Sequence, residues 1–349
     1  MIEKVNPEFD EDSIVRRGVK ADFYYTMDES RGFIRDRQAE QYVNNILSHI
    51  KKASGFNIEG KAYLIPSRAI NARAHADGNI YINYGALVQL ENEASFVAIV
   101  AHEYAHLLLG HHYSDRYLAY QKRLFKIKNR IMSLKYSIER SLRDKQTTSQ
   151  EYSLKRDALF QLIFLTEGFI NPTWQRSQEL EADMLAYDLM QRAGYSTGGF
   201  SEFFNILEKS EHDLEAERKA ELESLIENSS LTDKFKIAST EMVRSLSRLF
   251  SEDHPPADVR EDSLRSYKLA SLKYFQRLGI RASKLRGESA QWRALKKRRT
   301  TQRIYDAIEN AKLARLALAS GNAGDAGKYS AKARKASWWR SVVAISSAF

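Results

Sequence analysis

A chain of 349 residues without a single cysteine excludes disulfides, thiol catalysis and Cys-ligated metals, so any bound metal must be held by His, Asp and Glu. Its 43% hydrophobic and 28% charged residues are those of an ordinary globular protein, long enough for one large domain with an appendage. The net charge of +9 is uneven: residues 262–349 carry 20 Lys and Arg against 5 Asp and Glu, a balance of +15 that leaves −6 on the remainder. An acidic body with a basic tail points to two functional parts.

Residues 1–34 form a polar N-terminal segment, and residues 1–20 have no apolar signal-peptide centre. No apolar run reaches membrane-spanning length; the longest, residues 159–170, is interrupted by Gln161, Thr166 and Glu167 and reads as a buried helix. The expectation is a cytoplasmic protein with no transmembrane helix, peripheral membrane association being left open. A first helix is predicted over 34–52, where Tyr42, Val43, Ile46, Leu47 and Ile50 share one face and Gly55 ends the run. Short strands follow at 62–65, 71–74 and 80–83, the last two flanking the turn signal Asp77-Gly78.

Asn92 is a good N-cap for a long helix that carries Val97, Ile99, Val100, His102, Glu103, His106 and Leu107 to Leu109. Past Gly110 the period shifts. Tyr113, Tyr117, Tyr120, Leu124, Ile127, Ile131, Leu134 and Ile138 alternate spacings of four and three, a coiled-coil seam. Thr148 and Glu151 form a capping box for a return helix, so 113–165 reads as a helical hairpin arm, with a dimer seam as the alternative. A helix over 173–193 carries Glu179, Glu181 and Asp183. The basic tail, 263–349, is almost entirely helix-forming. Residues 307–336, broken at Gly321-Asn322, resemble one tetratricopeptide-like helix pair. The fold class is therefore α+β and mostly α-helical, with a small sheet.

His102 and His106, four apart on one helix, project from the same face and can grip one ion, with Glu103 adjacent to reach a water. The bland reading is a solvated face with two histidines. Against it, the surrounding apolar residues bury the helix, and a buried Glu between two buried His is costly unless something satisfies all three. A catalytic zinc site needs a third protein ligand and an open position. His111 and His112 point off the ligand face and read as surface or outer-layer histidines. Glu179, on a separate helix with Asp183 one turn later, is the better candidate, although alone this acidic stretch would read as a solvated face.

Three motifs in order resemble the HtpX, Oma and CAAX-prenyl-endopeptidase family of zincin (gluzincin, clan MA) zinc metallopeptidases. They are His102-Glu103-Tyr104-Ala105-His106, Glu179-Leu180-Glu181-Ala182-Asp183, and His254-Pro255-Pro256 followed by Arg260. The stretch from Asn71 to Tyr81 also resembles the family's substrate-side hairpin. The resemblance covers roughly 35–265 and implies a zincin peptidase domain over 35–262. It further implies one zinc per chain held by His102, His106 and Glu179, with Asp183 orienting a ligand histidine. The expected activity is metalloendopeptidase cleavage of protein or peptide substrates. Glu103 is then the general base, and His254 the candidate oxyanion donor, with Arg260 next. Substrate is expected to lie along strand 80–83, taken as a sheet edge. The family's prenylated and membrane substrates are not carried over, since the inter-motif segment is a polar helical arm. The competing function is a zincin-like scaffold whose tail binds nucleic acid or anionic membrane surfaces. Lys296-Lys297-Arg298-Arg299 near Trp292, and Trp338-Trp339-Arg340, would serve it. The bland reading of those clusters is a solvated helix face, or a surface packed on the acidic body.

Overall fold

Helix α1, Arg37–Ser54, begins where the Asp36 carboxylate accepts from Ala39 N and ends where Gly55 turns left-handed at φ 79°. Its stripe of Tyr42, Val43, Ile46, Leu47 and Ile50 is buried as the spacing predicts. The computed structural model describes residues 32–75, 77–111, 176–206, 257–277, 285–319 and 322–335. The arm expected over 113–165, His112, His254 with its two prolines, and Trp338-Trp339 lie outside the described residues.

Strands β1 (Ala62–Ile65), β2 (Ala72–Ala74) and β3 (Ile80–Asn83) form one sheet in the order β1-β3-β2. β1 runs parallel to β3 with Ala62 opposite Ile80, and β2 runs antiparallel with Arg73 opposite Tyr81. The β2–β3 hairpin is held by the Asp77 carboxylate, which accepts from the backbone N–H of Asn79 at 2.9 Å and its side-chain amide at 2.8 Å, while Gly78 supplies φ 75°. The expectation that strand 80–83 is an edge is corrected here. β1 reaches past the hairpin to pair with it, so β3 is central and, among the described residues, β2 is an edge.

After the short helix α2 (Tyr84–Gln89), helix α3 (Glu93–Leu108) runs through the centre of the molecule. Every residue of α3 except Ala94 is buried, as a helix apolar on all sides must be. Asn92 caps it, accepting from Ser95 N at 2.9 Å. Helix α4 (Arg176–Ala193) packs across α3 and α1 through Ala182, Leu185, Ala186 and Leu189. The helical turns at 199–206 add Phe200, Phe203 and Phe204 to the core. Helix α5 (Ala257–Arg277) lies against α4, where Tyr267 donates to Asp188 at 2.7 Å.

Helices α6 (Ala290–Lys297), α7 (Arg299–Ala319) and α8 (Ala323–Arg334) complete the described chain, with α7 and α8 packed side by side. α6 is docked on the body. Trp292 is 1% exposed, wedged between Tyr42 and Phe96 with ring centroids 5.8 and 5.7 Å away. Of the basic run Lys296 to Arg299, Lys296 donates to the carbonyls of Val88 and Leu90, and Arg298 pairs with Asp36 and Gln38. No helix among the described residues is long and apolar enough to cross a membrane.

Candidate metal centre

The i, i+4 spacing on α3 puts His102 and His106 side by side, Nε2 to Nε2 3.0 Å apart, both buried. α4 brings Glu179 onto them from the far side. Its carboxylate oxygens lie 3.4 Å from His102 Nε2 and 3.6 Å from His106 Nε2. One donor atom from each of the three lies within 4.8 Å of the others. Two zinc–nitrogen bonds in tetrahedral geometry hold their nitrogens about 3.3 Å apart, so this donor set fits one ion of that kind. The separations found here, 3.0 to 3.6 Å, bracket that span.

Each donor is gripped from behind. Asp183, one turn along α4 from Glu179, places Oδ1 2.9 Å from His102 Nδ1. Arg260 on α5 donates from Nη1 to Glu179 at 3.0 Å, and from Nε and Nη2 to the two oxygens of Asp183 at 2.8 Å each. Its guanidinium is 5.1 Å from the Phe204 ring centroid. His111 brings its Nδ1 to 2.8 Å from that of His106. Burial opposes a charge on His102, but Asp183 and Glu179 together outweigh it and lift its pKa to about 10. Burial, opposed by Glu179 and helped by His102, pushes His111 down to about 4.

Glu103 is 6% exposed, and its Oε2 has no hydrogen-bond partner among the described residues. Burial raises its pKa to about 7, opposed by His102 and by a backbone hydrogen bond from Ala74. That last contact locates the sheet. In β2 the N–H groups of Arg73 and His75 face β3, as the His75 N to Asn79 O bond shows, so Ala72 and Ala74 direct theirs outward. The outward side of β2 therefore faces Glu103, with the Ala74 N–H on the Glu103 carboxylate and the Ala72 N–H on Asn71 Oδ1 at 2.7 Å.

The structure thus brings together His102, His106, Glu103, Glu179, Asp183 and Arg260, all named from the sequence. It adds the Ala74 backbone, which the sequence reading did not name, and places His111, read there as a surface or outer-layer histidine, against His106, with Glu181 Oε2 3.5 Å from His111 Nε2. The signal for His111 was Gly110. At φ 64° it reverses the chain, so His111 returns over the helix end instead of continuing around it.

An H-E-x-x-H helix beneath a small sheet, met by an acidic helix that supplies a third donor, is the arrangement of a zincin metallopeptidase. Residues 37–268 match Peptidase family M48, and the chain belongs to that family. The metalloprotease YcaL of Escherichia coli (strain K12) is 30% identical over 166 residues, covering 46% of this chain and 57% of that protein. The metalloprotease LoiP of the same organism is 28% identical over 170 residues, covering 47% of this chain and 59% of that one. The chain therefore spans less than two thirds of the length of either relative.

Proposed function

We propose that the protein is a zinc-dependent metalloendopeptidase that cleaves protein substrates laid extended along β2. The observation that carries this reading is the convergence of His102, His106 and Glu179 beside a buried carboxylate, Glu103, one oxygen of which has no hydrogen-bond partner among the described residues. Two imidazoles and a carboxylate form a donor set that suits zinc.

A divalent ion held by these three residues supplies Lewis-acid polarisation of a carbonyl and lowers the pKa of a water. Glu103 is the general base. Its carboxylate, raised toward 7 by burial, takes the proton of the attacking water and delivers it to the leaving amine. The outward C=O groups of Ala72 and Ala74 accept from a substrate main chain laid alongside as an added strand, which sets the scissile bond beside Glu103; their N–H groups are engaged by Asn71 Oδ1 and by Glu103. Asp183 holds His102 in the tautomer that presents Nε2. Arg260 acts through the carboxylates of Glu179 and Asp183, which its guanidinium already engages. That leaves His254, six residues earlier in the chain, as the candidate donor to the oxyanion. The division into an N-terminal segment, a peptidase domain over 35–262 and a basic tail from 263 belongs to the same proposal.

The test is metal analysis of the purified full chain, paired with cleavage of casein before and after chelation. One equivalent of zinc and chelator-sensitive cleavage restored by zinc are expected. A metal-free chain that does not cleave casein when supplied with zinc overturns the reading.

A further inference from the structure

We infer that His111 is a positioning residue for the metal centre: its Nδ1 accepts the Nδ1–H of His106 and so keeps the Nε2 lone pair of His106 turned into the donor cluster. This rests on the reading of His106 as a metal ligand.

Two ring nitrogens 2.8 Å apart share a single proton, because two N–H groups or two lone pairs at that distance repel. Nε2 of His106 faces His102 Nε2 at 3.0 Å and Glu179 at 3.6 Å, so it must be bare to bind an ion there. The proton of His106 then sits on Nδ1 and is donated to His111. His111 in turn carries its own proton on Nε2, which lies 3.5 Å from the Glu181 carboxylate. This assignment suits the short contact between the two rings and leaves Nε2 of His106 bare. The reverse assignment, with His111 donating from Nδ1, puts the proton of His106 on Nε2, where it blocks the site. It also strips His111 of the N–H that faces Glu181.

The ring is built into place. Gly110 in the left-handed region folds it back onto His106, burial fixes it at 5% exposure, and its carbonyl accepts from the Gln178 side chain at 3.4 Å. The three alternate acids of α4 thereby divide the work. Glu179 enters the donor cluster, Asp183 lies directly behind His102, and Glu181 lies 3.5 Å from His111, the ring behind His106. Glu181 differs from the other two in facing solvent, its side chain 53% exposed against 2% and 1%.

The experiment measures zinc affinity of the full chain by competition with a chromogenic chelator, for the wild type, His111→Leu and His111→Asn. Leu fills the space without an acceptor and is expected to weaken zinc binding about 10- to 100-fold. Asn places its Oδ1 where Nδ1 stood and is expected to recover to within about threefold of wild type. A role in packing alone predicts the opposite order, with Leu the milder change. Histidine 15N spectra of the zinc-loaded wild type give a reading that needs no variant. They should show His106 protonated at Nδ1 and His111 at Nε2. Wild-type-like zinc affinity in His111→Leu, Asn no better than Leu, or His111 protonated at Nδ1 each overturns the inference while the metal centre stands. A wild-type chain that takes up no zinc sinks the metal-centre reading and this inference with it.

Discussion

Glu103 and Gln differ by a proton-accepting oxygen and hardly at all in shape. In Glu103→Gln the packing of α3 and the three donor groups should be undisturbed, so zinc stays at one equivalent. Peptide cleavage should fall by at least about 100-fold, the usual contribution of a positioned general base. Zinc content and casein cleavage on one preparation check this, and retained cleavage would remove Glu103 from the role. His102 gives a second outcome at this scale, in pH. Its pKa in the folded, metal-free chain is lifted from 6.5 to about 10 by Asp183 and Glu179 against the opposing effect of burial. A folded pKa above the unfolded one means a stabilisation fully present below pH 6.5 and lost as pH climbs toward 10. Chelator-stripped protein should therefore show a Tm that falls across that window, while zinc-loaded protein, its His102 already deprotonated, should lose much less. Calorimetry between these limits should also show a proton released on zinc uptake, and a Tm equally flat in both forms would count against the pairing.

Between elements, the decisive contact is Arg260, a cation that ties α5 to two acids of α4. Removing it leaves two buried carboxylates with His102 as their remaining cationic partner, a loss of about 3–5 kcal/mol when a buried pair is broken from one side. Arg260→Met should show that loss in urea unfolding of the metal-free chain, and zinc should restore part of it, because a dication compensates the same carboxylates. Lys should rescue poorly, since a point charge cannot match the fork that spans Asp183 and also reaches Glu179. The sequence made this contact legible only as a spacing after two prolines. The helices and the H-E-x-x-H face were readable from periodicity, because burial of α1 and α3 follows directly from which residues are apolar. Strand order was not, because β1 pairs with β3 across an intervening hairpin and nothing local in Ala62 to Ile65 records that. The placement of His111 was hidden for a related reason: the sign of φ at Gly110 decides it, and a glycine permits both signs.

At the scale of the molecule, the basic tail reads from its charge as a part apart, yet its first helices share the core of the body. Trp292, Leu295, Ile304, Tyr305 and Ile308 belong to the same buried cluster as Phe96, Val97 and Val100 of α3. The contact is polar as well as apolar. The Glu93 carboxylate, at the start of the helix that carries His102, accepts from Tyr42 of α1 at 2.9 Å and from the Ser289 hydroxyl at 2.6 Å. One carboxylate thus joins α1, α3 and the cap of α6, with the Trp292 ring packed beside it. Trp292→Ala should cost about 3–5 kcal/mol, as a large aromatic removed from a core does. The informative quantity is how the loss is shared. If residues 285–319 were an independent module, the variant would unfold in two steps, with the tail melting first and the zinc site intact. Docking through Trp292 and Glu93 instead predicts one transition, in which loss of helical circular dichroism and release of zinc coincide at a lower urea midpoint. Separated midpoints in Trp292→Ala, with zinc retained through the first, would show that the tail does not brace the helix of the metal centre.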